Sequence, residues 1–113
     1  MKAYHYTTVP SEAFEGKPGV SIRWAIGKNV GAPNFVARVI DIEADATTSH
    51  HAHPWEHEVF VLEGNGVVRD AGGEAPIGPG YCVYVEPGEV HQFINRGESV
   101  LRIICVIPNP AED

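Results

Sequence analysis

Basic residues are few, and no long apolar run exists. Lys plus Arg number 8 against 15 Asp plus Glu, for a formal net charge of −7. A chain this acidic, with no basic stripe, lacks the cations that phosphate contacts require. Nucleic acid and anionic lipid are therefore not expected partners. The longest apolar stretch, residues 100–107, is interrupted by Arg102 and has strand length, far below the ~20 residues of a membrane-spanning helix. The first residues, MKAYHYTTVPSEAF, contain no apolar core of a secretion signal. Cysteine is limited to Cys82 and Cys105, both in apolar, strand-like runs. The expectation is a cytoplasmic protein with reduced thiols and no disulfide.

Turn-forming residues, by contrast, are plentiful. Gly 12 and Pro 9 make up about 19% of the 113 residues, against a usual ~12%. That density disfavours a helical bundle and suits an all-β domain. The length allows one domain, with about two thirds of the unfolded chain's surface buried. No repeat or linker divides it.

Residues 1–19, punctuated by Pro10, Gly16, Pro18 and Gly19, read as an arm. Residues 20–26 (VSIRWAI) read as a strand, 27–33 as a loop, and 34–42 (NFVARVIDI) as a β-branched strand, although spacing alone leaves a short helix open there. Residues 57–63 (HEVFVLE) run into Gly64-Asn65-Gly66, a hairpin signal. Residues 67–70 return and Gly72-Gly73 turns again. Residues 76–80 (PIGPG) read as a loop, 81–85 as a strand, Pro87-Gly88 as a turn, and 91–95 and 99–107 as the last strands. Short strands at this spacing suggest a sandwich or barrel. In the last strand Arg102 should face outward, with Leu101, Ile103, Cys105 and Ile107 facing in.

Four of the six histidines fall within HHAHPWEH, residues 50–57. Residues two apart on a strand share a face, so His51 and His53 point together. His57 joins them if the extended register persists through Pro54. His91, after the Pro87-Gly88 turn, is a candidate fourth. Imidazoles gathered on an inner face need partners for their ring nitrogens, and neutral imidazole suits Zn, Cu, Fe and Ni and can serve Mn. Taken alone, the spacing is also compatible with solvated surface histidines. His5 and His50 read as surface.

These residues resemble the cupin superfamily. Its first motif, G-x5-H-x-H-x3/4-E-x6-G, is matched by His51, His53, His57 and Gly64; its second, G-x5-P-x-G-x2-H-x3-N, by Gly80, Gly88, His91 and Asn95. Asp45 stands at the leading glycine, Glu86 at the proline with Pro87 displaced by one, and His57 at the glutamate ligand. Glu58 is the alternative under the longer spacing, but the fixed distance to Gly64 favours His57. The segments HPWEHEVFVLEG, APNFVAR and CVIP look like small single-domain bacterial cupins with a four-histidine manganese-type site.

The resemblance implies an all-β double-stranded β-helix, the cupin jelly-roll barrel. It would be one domain over 1–113, with motifs at 45–64 and 80–95. It further implies a homodimer and a divalent ion on His51, His53, His57 and His91: manganese first, with Fe, Cu, Ni or Zn as alternatives. Substrate-pocket candidates are Trp55, Phe93, Ile103, Cys105 and Arg38. Trp55 reads equally as a plug of the barrel mouth, and Cys105 and Phe93 read first as core. Arg38 reads first as snorkelling from the rim, and second as a buried partner for an anion.

Four neutral imidazoles would leave the full +2 on a divalent ion, and replacing Glu by His removes a carboxylate that could serve as a base. The expected function is therefore a metal-dependent oxidoreductase, dioxygenase-like or peroxide-using, acting on a small organic molecule. The alternatives are a non-catalytic cupin that binds or senses a small ligand or metal, and a non-redox metal-dependent isomerase or hydrolase.

Overall fold

β-Branched residues make up half of each segment that becomes a central strand of the larger sheet. In this computed structural model, residues 1–109 are described; the last four residues of the domain expected over 1–113 lie outside them. The strands are β1 (Glu12–Ala13), β2 (Val20–Ile26), β3 (Phe35–Ile42), β4 (His57–Glu63), β5 (Gly66–Asp70), β6 (Gly73–Ile77), β7 (Cys82–Val85), β8 (Gln92–Ile94) and β9 (Leu101–Pro108). Six form one sheet in the order β1-β2-β3-β9-β4-β7, and three form a second in the order β6-β5-β8. The two sheets enclose one core, giving the expected all-β jelly-roll barrel. No described helix is long and apolar enough to cross a membrane.

β3 and β9 pair antiparallel from Phe35↔Pro108 to Ile42↔Leu101. Leu101, Ile103, Cys105 and Ile107 alternate inward, as the pattern predicts. They pack with Ile22, Val36, Ile42 and Val61. Arg102 faces out and is held by Asp41, with Nε donating to Oδ1 at 2.8 Å, and by Glu63.

Three readings change. Gly64-Asn65-Gly66 is not a hairpin turn: β4 pairs with β7 and β9, whereas β5 pairs with β6 and β8. The chain here passes from one sheet to the other. The glycines serve close backbone passage, because a Cβ on Gly64 would lie 2.2 Å from the Val100 carbonyl oxygen. Residues 76–80 are not all loop, since Pro76 and Ile77 finish β6. β6 is an edge strand, where a missing proline N–H is tolerated. The arm is also more than a lead-in: it forms a short helical turn at Tyr6–Thr8, and β1 pairs with β2 through Glu12↔Ile22.

The motif positions have backbone explanations. Asp45 adopts a left-handed φ of 66°, a conformation that glycine enters without strain and Asp tolerates better than most residues. Glu86-Pro87-Gly88-Glu89 closes a turn in which the Glu89 N–H donates to the Glu86 carbonyl at 3.0 Å, and Gly88 has φ 80°. Pro at the second position and Gly at the third are what this turn requires.

Asn95 is fully buried and staples three segments. Its Nδ2 donates to the Ile42 carbonyl at 2.8 Å and the Ser99 carbonyl at 2.7 Å, and its Oδ1 accepts from the Gly97 N–H at 2.9 Å. Asn95→Ala is expected to cost about 3 kcal/mol, one for each bond left unmade. Urea unfolding checks this; a loss below about 1 kcal/mol would contradict the staple.

Candidate metal centre

Histidines placed on different elements converge because the chain closes the barrel around them. His51 and His91 lie opposite one another in an isolated bridge: the His51 N–H donates to the His91 carbonyl at 3.2 Å and the His91 N–H to the His51 carbonyl at 2.9 Å. The His53 carbonyl accepts from Gly88 N–H at 2.7 Å, which ties it to the turn before His91. The chain then bends at Pro54-Trp55, and His57 opens β4 opposite Val85. The extended register does not persist through Pro54. The three histidines share a side because of the bend and the Gly88 tie.

The His51 and His53 Nε2 atoms lie 3.2 Å apart. One nitrogen each from His51, His53 and His91 fall within 4.8 Å of one another. The His57 ring flanks this trio, with its centroid 4.6 Å from that of His91 and 5.2 Å from that of His53. The His91 Nδ1 lies 2.9 Å from the Glu89 carbonyl oxygen. An N–H there fixes the tautomer that leaves its Nε2 lone pair free. His57 Nδ1 is buried without any hydrogen-bond partner.

Charge is disfavoured at His53, His57 and His91. Burial, then neighbouring His91 and Arg38, push the His57 imidazole down to about 3. Burial also lowers His53, reinforced by His51 and His91, and lowers His91, where the Glu89 carbonyl opposes it. These three rings are therefore neutral at pH 7, and one buried nitrogen, His57 Nδ1, is orphaned. Such an arrangement is costly unless an electrophile takes the lone pairs. Neutral nitrogen donors converging on one point fit a divalent transition-metal ion.

The cluster opens on a cavity of about 30 Å³ lined by the four histidines together with Arg38, Phe93, Ile103 and Cys105. Trp55 does not line it. Its ring stacks on His53 at 4.6 Å with planes 10° apart, so it braces a candidate ligand from behind. The preferred rim position for Arg38 is also corrected: Arg38 is inside the barrel, 7% exposed. Inward placement follows from its pairing with inward-facing Cys105. Burial pushes the Cys105 thiol up, so it stays protonated despite the neighbouring Arg38. His5 and His50 are exposed and outside the cluster.

Phe14, Glu15, Ile40 and Thr48 complete the lining, and none of them was singled out from sequence. Glu15 matters most. Its Oε2 lies 3.3 Å from His51 Nε2, and its Oε1 accepts from the Ser49 N–H at 3.4 Å. Its backbone is left-handed, with φ 56°, and Gly16 follows at 66°. Spacing offered no signal for it, because the arm shares no periodicity with the histidine motif. Thr48 is placed by its hydroxyl, which accepts from the Phe93 N–H at 2.8 Å.

A family model described as a cupin domain matches residues 38–107. The polyketide cyclase RemF from Streptomyces resistomycificus is 31% identical, with a TM-score of 0.89 over 96% of this chain and 79% of that one. A sugar phosphate isomerase of the cupin superfamily from Silicibacter pomeroyi is 25% identical, with a TM-score of 0.85 over 96% of this chain and 76% of that one. An oxalate-binding protein from Thermotoga maritima is 36% identical over 58 residues, 50% of this chain and 48% of that protein. The matched region thus spans about half the length of that curated relative.

Proposed function

The chain belongs to the cupin family, and from that premise we propose that it is an enzyme acting on a small oxygen-bearing organic substrate. A divalent ion would be held by His51, His53, His57 and His91, and Glu15 would be the proton acceptor. The observation that carries this reading is a carboxylate 3.3 Å from His51 Nε2 at the edge of the histidine cluster. A bound divalent ion would supply Lewis-acid polarisation of a substrate oxygen. Manganese is the first candidate, with Fe, Cu, Ni and Zn as alternatives.

The remaining steps belong to the chain. Glu15 Oε2 receives a proton from the carbon beside the polarised group and returns it at another position. Phe93 and Ile103 exclude water from the inner wall. Trp55 and the Glu89 carbonyl hold two rings in orientation. The sequence argument for an oxidoreductase rested on the missing carboxylate, and Glu15 brings one from the arm. The likeness to a cyclase and an isomerase supports the non-redox reading, since isomerisation involves no net oxidation. Oxidation remains the second reading, because an all-nitrogen donor set also suits redox-active ions.

Hydrogen exchange separates the two. Ion-loaded protein in D₂O, without oxygen, is expected to exchange carbon-bound hydrogens of enolisable carbonyl compounds, followed by NMR. Turnover that appears only with oxygen or peroxide would overturn the proton-transfer reading in favour of the oxidoreductase.

Two copies are expected to associate across the outer face of the six-stranded sheet. Phe60 and Leu62 of β4 are exposed there, and Ile104 of β9 pairs beside Phe60. An apolar groove of about 690 Å³ runs between Leu62, Ile104 and the arm. A second copy would cover this surface. Sedimentation at micromolar concentration should give twice the 12.3 kDa chain mass; the single-chain mass throughout would contradict it.

A further inference from the structure

We infer that Arg38 is the recognition group for a carboxylate, so that the substrate is a small carboxylic acid whose acid end enters the barrel between Arg38 and the histidines. The inference rests on the proposed reaction for the substrate's other end, but the observations at Arg38 do not depend on an ion.

Arg38 projects from β3 into the cavity and is 7% exposed. Its Nη2 donates to Cys105 Sγ at 2.9 Å, and its Nε is buried with no hydrogen-bond partner. The guanidinium lies 5.7 Å from the Phe14 ring centroid and 5.6 Å from that of Trp24, so aromatic faces brace the charge. Among the described residues no carboxylate forms an ion pair with it: Asp41, Glu63 and Glu74 are taken by Arg102 and Arg96, and Glu15 lies against His51. The Cys105 thiol is neutral and supplies no countercharge. A cation this deep, with a free N–H and no anionic partner among the described residues, is a costly arrangement.

The geometry of the guanidinium selects the anion. Nε–H and Nη2 share the planar edge that a carboxylate meets with two parallel bonds, taking Nη2 from its contact with Cys105 Sγ. Beside the cavity Glu15, its side chain 20% exposed, lies 3.3 Å from His51 and 3.4 Å from Ser49 N. A flat, small acid bound at Arg38 leaves Glu15 in place beside its other end.

The test uses the full chain, ion-free and ion-loaded, with metal content measured on every sample. Acetate is titrated, with acetamide as the neutral control and inorganic phosphate as the tetrahedral one. The Arg38 Nε–H resonance and calorimetric heats are followed. Acetate is expected to shift that resonance in both forms, and acetamide is not. Arg38→Met and Arg38→Lys should each weaken acetate binding at least tenfold without changing metal content. Unchanged affinity in Arg38→Met, no response of wild-type Nε–H to acetate, or a preference for phosphate would each overturn the inference. Should either variant fail to fold, as judged by thermal melting, the wild-type resonance decides alone. A clear acetate response in protein that takes up no metal would support Arg38 and sink the metal reading, so the two failures are distinct.

Discussion

Glu15→Gln is expected to slow carbon–hydrogen exchange by about 10²–10⁴-fold, the usual contribution of a positioned general base, while leaving metal content unchanged. The amide keeps the size of the side chain and can still receive the Ser49 N–H, so the arm should stay in place. It cannot accept a proton at neutral pH. A variant that exchanges at the wild-type rate would remove Glu15 from the reaction and restore the argument for oxidation. A variant that loses its metal as well would instead make Glu15 a ligand. The position of its Oε2, 3.3 Å from His51 Nε2, makes that second result informative. The comparison therefore requires both a rate and an ion count.

The second large effect concerns the ligands themselves. His91→Ala and His57→Ala should each weaken ion binding by about 10²-fold. Structural zinc sites with four ligands bind with roughly 10–16 kcal/mol, so one ligand in four is worth around 3 kcal/mol, or about two decades of affinity. The two variants ask different questions. His91 belongs to the trio whose nitrogens lie within 4.8 Å of one another. His57 stands beside that trio, and its claim rests on an orphaned, buried Nδ1 and a ring 4.6 Å from His91. Competition titration with a chromogenic chelator measures both. Unchanged affinity in His57→Ala alone would reduce the site to three histidines. Thermal melting of the ion-free variants guards against a trivial loss through unfolding, since both side chains are buried.

The fold was largely legible because its signals are local. The strand at residues 20–26 matches β2, the one at 57–63 matches β4, and the alternation after residue 99 places Leu101, Ile103, Cys105 and Ile107 inside β9. Partner choice was not local, and there the reading slipped. Gly64-Asn65-Gly66 has hairpin chemistry, yet its glycines answer to the Val100 and Ile94 carbonyls that press on the crossing chain. Only the assembled barrel brings those atoms near.

The site divides in the same way. Histidine spacing and the turn before His91 exposed the cluster, because motif and geometry coincide there. Glu15 was invisible, since an irregular arm carries no periodicity to aim it. Arg38 was misjudged for a different reason. Hydropathy assigns a lone arginine on an apolar strand to the rim, whereas its register opposite Cys105 sends it inward. Trp55 had the right parity but lies past a bend that parity does not foresee, and so it supports His53 from behind.

The central claim is that the histidine cluster holds a divalent ion, and the most direct measurement is elemental analysis of untagged protein purified without chelator. The account predicts close to one divalent transition-metal ion per chain, with manganese, iron, copper, nickel and zinc quantified together. It also predicts that ion-free protein regains one equivalent when any suitable ion of this set is supplied. Protein that carries no metal, and takes up none from a molar excess of each ion in turn, would contradict it.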